Sequence, residues 1–175
     1  MPPVRFCSAC GTPLDSEPPV TCGECGTSHW CNPKPCANAI VVAGDEVLLT
    51  RRAYAPWKDA WCSPGGFCEL GEHPLETVER EVLEETGLRV EVTGYIGVWV
   101  DGYADDPADD SDVINVGYYL AAPLERTGSF DTREVSEIRW FGWDELPAEL
   151  APPGTLRAVL AAVRAGLVSA ASDRP

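Results

Sequence analysis

Apolar and polar positions divide the chain near residue 35. Residues 1–35 are rich in Cys, Gly and Pro and show little apolar periodicity. Such a segment cannot bury enough surface to fold unaided. From Cys36 the pattern changes. Ala39-Ile40-Val41-Val42-Ala43 reads as a strand, Gly44-Asp45-Glu46 as a turn, and Val47-Leu48-Leu49-Thr50 as a returning strand. Residues 51–71 read as a loop-rich stretch with Pro56, Pro64, Gly65 and Gly66. The spacing predicts a helix over 74–86, with Pro74 in its first turn and Gly87 just past its end. Further strands are expected at 89–100, 113–121 and 136–142, with an acidic loop at 101–112. Pro152-Pro153-Gly154 breaks the chain. Leu156, Val159, Leu160, Val163 and Leu167 then form an apolar stripe at helical spacing from Thr155 to Leu167. Residues 169–175 read as a frayed end. Strands mixed with two helices predict an α+β fold, a mixed sheet sandwiched by helices. Three parts are expected: 1–35, a main domain at 36–150, and a helix with a short tail at 151–175.

Composition narrows the function classes. Of 175 residues, 45% are apolar, which permits a real core. Net charge is −15, from 28 acidic against 13 basic residues. That argues against gripping a nucleic-acid backbone, which needs clustered Lys and Arg. It suits a protein that holds cations or simply stays soluble. No apolar run approaches the roughly 20 residues of a membrane span, and Met1–Cys10 does not resemble a signal peptide. A cytoplasmic protein with reduced cysteines is therefore expected. The C-terminal helix reads as a packing element or a homodimer contact.

Cys7-x2-Cys10 and Cys22-x2-Cys25 are each followed by Gly, at Gly11 and Gly26. Two thiolates two residues apart can bind one ion from a tight turn, and two such knuckles complete a closed tetrahedral Zn2+ site. The alternative is a redox pair or unliganded thiols. Zinc would also stabilise a module too small to fold alone. A closed site has no open position for chemistry, so its expected role is structural. Cys31, Cys36, Cys62 and Cys68 have no second such spacing and read as small buried hydrophobes, although His29 could displace a thiolate.

The segment from Gly66 to Leu88 carries the chemistry. On a helix at roughly 100° per residue, Leu75, Val78 and Val82 share one face, and Glu81, Glu84 and Glu85 occupy an arc beside it. No lysine lies between His73 and Leu88, and Arg80 is the only fixed cation of the helix. Three like charges so close repel unless a hard divalent cation sits among them. A solvated acidic face is the alternative.

Written out, the pattern is G-x5-E-x7-R-E-U-x-E-E-x-G-U, with U aliphatic. It is met by Gly66, Glu72, Arg80, Glu81, Val82, Glu84, Glu85, Gly87 and Leu88. This resembles the Nudix hydrolase family. The resemblance implies a Nudix fold, catalytic Mg2+ or Mn2+, and cleavage of a diphosphate linkage in a nucleotide derivative. It implies Glu81, Glu84, Glu85 and the carbonyl of Gly66 as metal ligands, Glu72 as an auxiliary carboxylate, and Arg80 as the residue that orients the glutamates. The four-cysteine ribbon ahead of this domain, and the stretches Arg133–Trp140, Asp144–Pro147 and Pro152–Thr155, are similar to zinc-ribbon NADH pyrophosphatases and related ADP-ribose pyrophosphatases. There a carboxylate before the last strand completes the metal site. Glu134 matches it, with Glu137 as rival.

The S-Q-P-W-P-F-P-x-S-L-M array that marks NADH preference is absent, and residues 95–103 stand in its place. ADP-ribose or a related compound is then as good a substrate as NAD(H), each releasing a nucleoside monophosphate. Trp57, Trp61, Trp99 and Tyr103 are candidates for stacking on a base, or else packing residues. Arg51 and Arg52 could grip a phosphate, or lie on the surface. Asp105, Asp106, Asp109, Asp110 and Asp112 could bind a further cation or form a solvated lid. Rival functions are a nucleotide-sensing or nucleic-acid- or protein-binding module, a hydrolase of nucleotide-capped RNA, and a hydrolase of damaged nucleoside triphosphates.

Overall fold

The structure is a computed structural model that describes residues 4–106, 113–125 and 133–170. At the N-terminus, β1 (Val20–Thr21) and β2 (Ser28–His29) form a small antiparallel ribbon. The rest is built on β3 (Lys34–Ala43), β4 (Glu46–Arg52), β5 (Trp61–Cys62), β6 (Gly65–Phe67), α1 (Pro74–Thr86), β7 (Val90–Gly102), β8 (Val113–Pro123), β9 (Val135–Gly142), α2 (Thr155–Arg164) and β10 (Ser169–Ala170).

The longest-range pairing organises the sheet. β3 runs parallel to β8 from Lys34↔Ile114 to Val41↔Ala121, while its other edge takes β6 and then β4. β7 pairs antiparallel with β8, and β9 with β4, so the sheet is mixed. Side chains alternate along β3. Cys36 and Ile40 enter one core cluster with Ile114, Val116, Tyr118, Leu156, Val159 and Leu160. Ala37, Ala39 and Val41 enter another with Val78, Val82 and Leu88. A strand buried on both faces needs apolar residues at successive positions, which β3 has. α2 covers one face and α1 the other, as the expected α+β sandwich requires.

Four details differ from the sequence reading. β3 starts at Lys34 rather than Ala39, inside the segment assigned to the cysteine module, because its parallel partner recruits five further residues. The loop-rich stretch 51–71 contains β5 and β6, each too short to show a period. Ser169 and Ala170, read as frayed, pair with Tyr95 and Gly94 of β7. α2 stops at Arg164 and leaves Leu167 exposed, because Gly166 turns the chain at φ 73°.

Candidate active site

α1 is placed by local signals at both ends. At its start the Leu75 N–H donates to His73 Nδ1 at 3.2 Å, and the His73 N–H donates to Glu76 Oε2 at 3.1 Å. At its end Gly87 adopts a left-handed conformation, φ 68°, and donates to the Leu83 carbonyl. Val78 and Val82 are fully buried, which fixes the rotation of the helix. Glu81 and Glu85 then face the short strand β6. The Gly65 N–H donates to Glu85 Oε2 at 3.3 Å. Gly66 packs so closely on the Glu81 carboxylate that a Cβ at Gly66 would collide with it.

Arg80 ties the group together. It holds Glu72 with a fork, Nε to Oε1 at 2.8 Å and Nη2 to Oε2 at 2.9 Å. Its Nη1 reaches Glu81 Oε1 at 2.7 Å and Glu84 Oε2 at 3.4 Å. Glu72 also accepts from Thr77 Oγ1 and from the Glu69 N–H. Hydrogen bonds from Arg80 hold the Glu72 carboxyl down to about 2. Burial pushes Glu85 the other way, up to about 8, reinforced by the charge of Glu81. Burial likewise raises Glu81 against the pull of Arg80. Burial thus makes Glu81 and Glu85 costly to ionise.

Glu81, Glu84, Glu85 and Glu134 line one cleft of about 290 Å³ together with Gly66, Arg52 and Tyr103. Arg52 is boxed by aromatic rings. Its guanidinium carbon lies 5.0 Å from the Tyr54 ring centre, 5.7 Å from that of Trp57 and 5.8 Å from that of Tyr103. Its Nε donates to the Pro56 carbonyl and its Nη2 to Tyr103 Oη. Phe67 and Trp57 each meet Tyr103 edge-on at 5.5 Å. The cleft therefore joins an acidic wall to an aromatic wall with one cation.

Trp61, Arg51, Glu137 and Trp99 lie elsewhere. Trp61 does not reach the cleft: it is 9% exposed, stacked edge-on against Phe141 in the core. It is a packing residue, turned inward by β5 pairing on β4. Arg51 neighbours Arg52 on β4 and so points to the other side. It donates to the Asp59 carbonyl at 3.0 Å and lies 3.7 Å from Glu137. That contact occupies Glu137 away from the cleft. Trp99 packs edge-on against Tyr118. Glu72 and Arg80 sit behind Glu81 rather than on the cleft wall. Asp105 accepts from the Trp57 N–H, whereas Asp109, Asp110 and Asp112 lie outside the described residues. Tyr54, Phe67, Asn38, Ser63 and Tyr118 line the cleft without having been singled out. Asn38 and Tyr118 lie on strands, two residues from Cys36 and Val116 of the same core face, so strand spacing could have placed them; Tyr54 lies past the end of β4.

The N-terminal cysteines form a separate group. The Sγ atoms of Cys7, Cys10, Cys22 and Cys25 all lie within 4.8 Å of one another. Cys7–Cys25 is 3.5 Å and Cys10–Cys22 is 3.7 Å. The two knuckles repeat the same backbone bonds. Gly11 donates to Cys7 and Gly26 to Cys22, each at 2.9 Å, while Cys7 takes Thr12 and Cys22 takes Thr27 as acceptor. Hydrogen bonds from Thr27 bring Cys25 down to about 6, which favours its thiolate.

These features can be set beside known proteins. Residues 32–161 match the NUDIX domain family. The chain is 31% identical over 159 residues to the NAD-capped RNA hydrolase NudC of Haemophilus influenzae strain PittGG, covering 87% of this chain and 56% of that protein. It is 38% identical over 152 residues to the NAD-capped RNA hydrolase NudC of Pseudomonas aeruginosa strain LESB58, covering 82% and 49%. The chain thus spans about half the length of the curated relatives it matches. A NUDIX hydrolase from Nitrosomonas europaea superposes with a TM-score of 0.75 at 27% identity, covering 95% of this chain and 96% of that one. With the family pattern, the carboxylate helix and the mixed sheet in agreement, the chain belongs to the Nudix family.

Proposed function

We propose that this protein is a divalent-metal-dependent hydrolase of the diphosphate linkage in an NAD-type nucleotide, with ADP-ribose and NAD(H) as its principal substrates. The observation that carries this is the convergence of Glu81, Glu84, Glu85 and Glu134 on one cleft whose other wall is aromatic and holds Arg52. The donor set fits a hard cation. Four carboxylates share the cleft, and burial and crowding raise Glu81 and Glu85, a strain that a bound cation would relieve. Glu81, Glu84, Glu85 and the Gly66 carbonyl would hold Mg2+ or Mn2+. When bound, the ion neutralises diphosphate oxygens and acidifies water.

The chain's own residues prepare that site. Arg80 fixes the Glu81 carboxylate, and Glu72 fixes Arg80. Arg52 brings positive charge to the cleft, where a phosphate oxygen would be drawn to it. Glu134 has no part in the Arg80 network and is the free carboxylate suited to accept a proton from water. Tyr103 and Trp57 offer ring faces for a base.

The relatives' name favours a second substrate form, an RNA end capped by the same nucleotide. Net charge −15 speaks against a grip on the RNA backbone, so recognition would rest on the cap. The four thiols fit Zn2+: a tetrahedral site with Zn–S of about 2.3 Å puts sulfurs about 3.8 Å apart, close to the 3.5 and 3.7 Å seen. We assign residues 1–35 to a structural zinc ribbon, 36–150 to the hydrolase domain and 151–175 to a packing helix and tail. No described helix is long and apolar enough to cross a membrane.

The test is a product assay with ADP-ribose, NADH, NAD, NAD-capped RNA, diadenosine polyphosphates and nucleoside triphosphates, each with Mg2+ or Mn2+. Release of a nucleoside monophosphate from ADP-ribose or NAD(H), abolished by chelator, is expected. No turnover with retained nucleotide binding would establish a sensor instead.

A further inference from the structure

Tyr118 stands out among the buried polar residues. It lies on β8, in a run of apolar residues, and is 0% exposed. A buried hydroxyl normally finds a hydrogen-bond partner, because leaving one unpaired costs its desolvation. Tyr118 Oη has none. It is one of three such side-chain atoms among the described residues, with His29 Nε2 and Asp101 Oδ2. Of those three residues only Tyr118 lines the cleft that holds the glutamates.

Its surroundings are those of a slot rather than a solvent channel. Cys36, Ile114, Val116 and Pro152 supply apolar lining. Asn38 and Ser63 add two polar side chains, already joined because Asn38 Nδ2 donates to Ser63 Oγ at 3.1 Å. That bond leaves the Asn38 carbonyl and the Ser63 proton to spare. Trp99 holds the Tyr118 ring edge-on at 5.4 Å, so the hydroxyl is placed and not free to swing. No Lys or Arg belongs to this set. An apolar slot with a few fixed, uncharged hydrogen-bonding groups is how proteins read a planar heterocycle by its edge.

We propose that Tyr118 is a specificity-determining residue, its hydroxyl hydrogen-bonding the amide or amino edge of the substrate's heterocycle in a slot completed by Asn38 and Ser63. This rests on the hydrolase reading above and says which part of the nucleotide enters deepest. Arg52 and the aromatic wall are left to the phosphate and to the other end of the substrate. Burial keeps the phenol protonated far above its ordinary range, so it remains a donor at all working pH values.

The test is Tyr118→Phe in the full chain, with Tyr119→Phe as control. Tyr119 packs against the opposite core cluster, away from the cleft. KM for ADP-ribose or NADH is expected to rise about tenfold in Tyr118→Phe, the worth of one uncharged hydrogen bond. The expected kcat stays within about threefold by the same reasoning, since uniform binding is lost. Tm is unchanged or higher, because an unpaired buried hydroxyl has been removed. Unchanged KM overturns the inference while leaving the hydrolase reading intact. A lowered Tm also overturns it, since the hydroxyl then has an internal partner. Should the wild type cleave nothing, the hydrolase reading fails. The inference is then read from calorimetric binding of ADP-ribose and NADH, where an equal affinity of wild type and variant, or no binding by either, overturns it.

Discussion

Arg80 grips Glu72 with both arms of its guanidinium, at 2.8 and 2.9 Å, and turns its remaining nitrogen to Glu81 at 2.7 Å. The Glu72 carboxylate is saturated by Arg80, Thr77 and the Glu69 N–H. It therefore serves to aim Arg80, and Arg80 serves to aim Glu81. A lysine keeps the charge but not the fork. Arg80→Lys should lower kcat about tenfold or more at saturating Mg2+, while Arg80→Ala should also destabilise by about 2–3 kcal/mol by leaving two partly buried carboxylates unpaired. Urea denaturation alongside steady-state rates checks both; equal stability and rate in Arg80→Ala would remove the aiming role.

Gly66→Ala probes the site without touching an acid. Its added methyl group would meet only the flexible end of Glu81, so the side chain can step aside and the fold survives. The carboxylate is then displaced from the position in which it would hold the proposed cation. A fall in kcat of about tenfold or more is expected with a Tm near wild type, since misplacement by an ångström is costly. A fully active variant would show that this contact is incidental.

Glu85 makes the metal-free protein sensitive to alkali. Its folded value of about 8 lies above the ordinary 4.5. Between these values the folded state keeps a proton that the unfolded state has released. Stability in chelator should therefore decline as pH rises from the ordinary carboxylate range through about 8. Saturating Mg2+ should flatten this slope, and Glu85→Gln should reduce it, Glu81, also raised by burial, keeping the rest, while turnover falls about 100-fold or more through loss of a carboxylate proposed to hold the cation. Denaturation midpoints at pH 6 and 9, with and without chelator, decide it. A stability that climbs with pH in chelator would contradict the burial of this carboxyl.

On the zinc-ribbon assignment proposed above, Cys22→Ser should lower bound zinc. Cys22 is 2% exposed and closes the second knuckle. In the proposed ribbon, metal binding and folding would be coupled, so the segment should become sensitive to protease as bound zinc falls from one equivalent. Zinc content by elemental analysis that stays at one equivalent would refute the four-thiolate assignment.

The helix Pro74–Thr86 was legible to the residue, because Pro74 and Gly87 mark its limits locally; the His73–Glu76 cap that closes its start came from the structure. The long strands of the main sheet were legible to within two residues, except that β3 begins five residues before the expected Ala39. β5, β6 and β10 were not. Their pairing depends on partners such as Thr50, Cys36 and Gly94, distant in sequence. The same distinction separates the site residues. Glu81, Glu84 and Glu85 share an arc of one helix, so their proximity follows from helical geometry alone. The separation of Arg52 from Arg51 follows from strand alternation, but which of the two faces the cleft depends on the side that the sheet presents.

Family, acid cluster and cysteine pairing were thus determined by the sequence itself, since each lies within a short span whose spacing carries its geometry. Only the tertiary structure brought Glu134 into the cleft and Glu137 out of it, sent Trp61 into the core, boxed Arg52 in aromatic rings and left the Tyr118 hydroxyl without a partner. Those relations join segments far apart in the chain, and they are settled by which faces the parallel pairing of β3 with β8 and the packing of the two helices leave open.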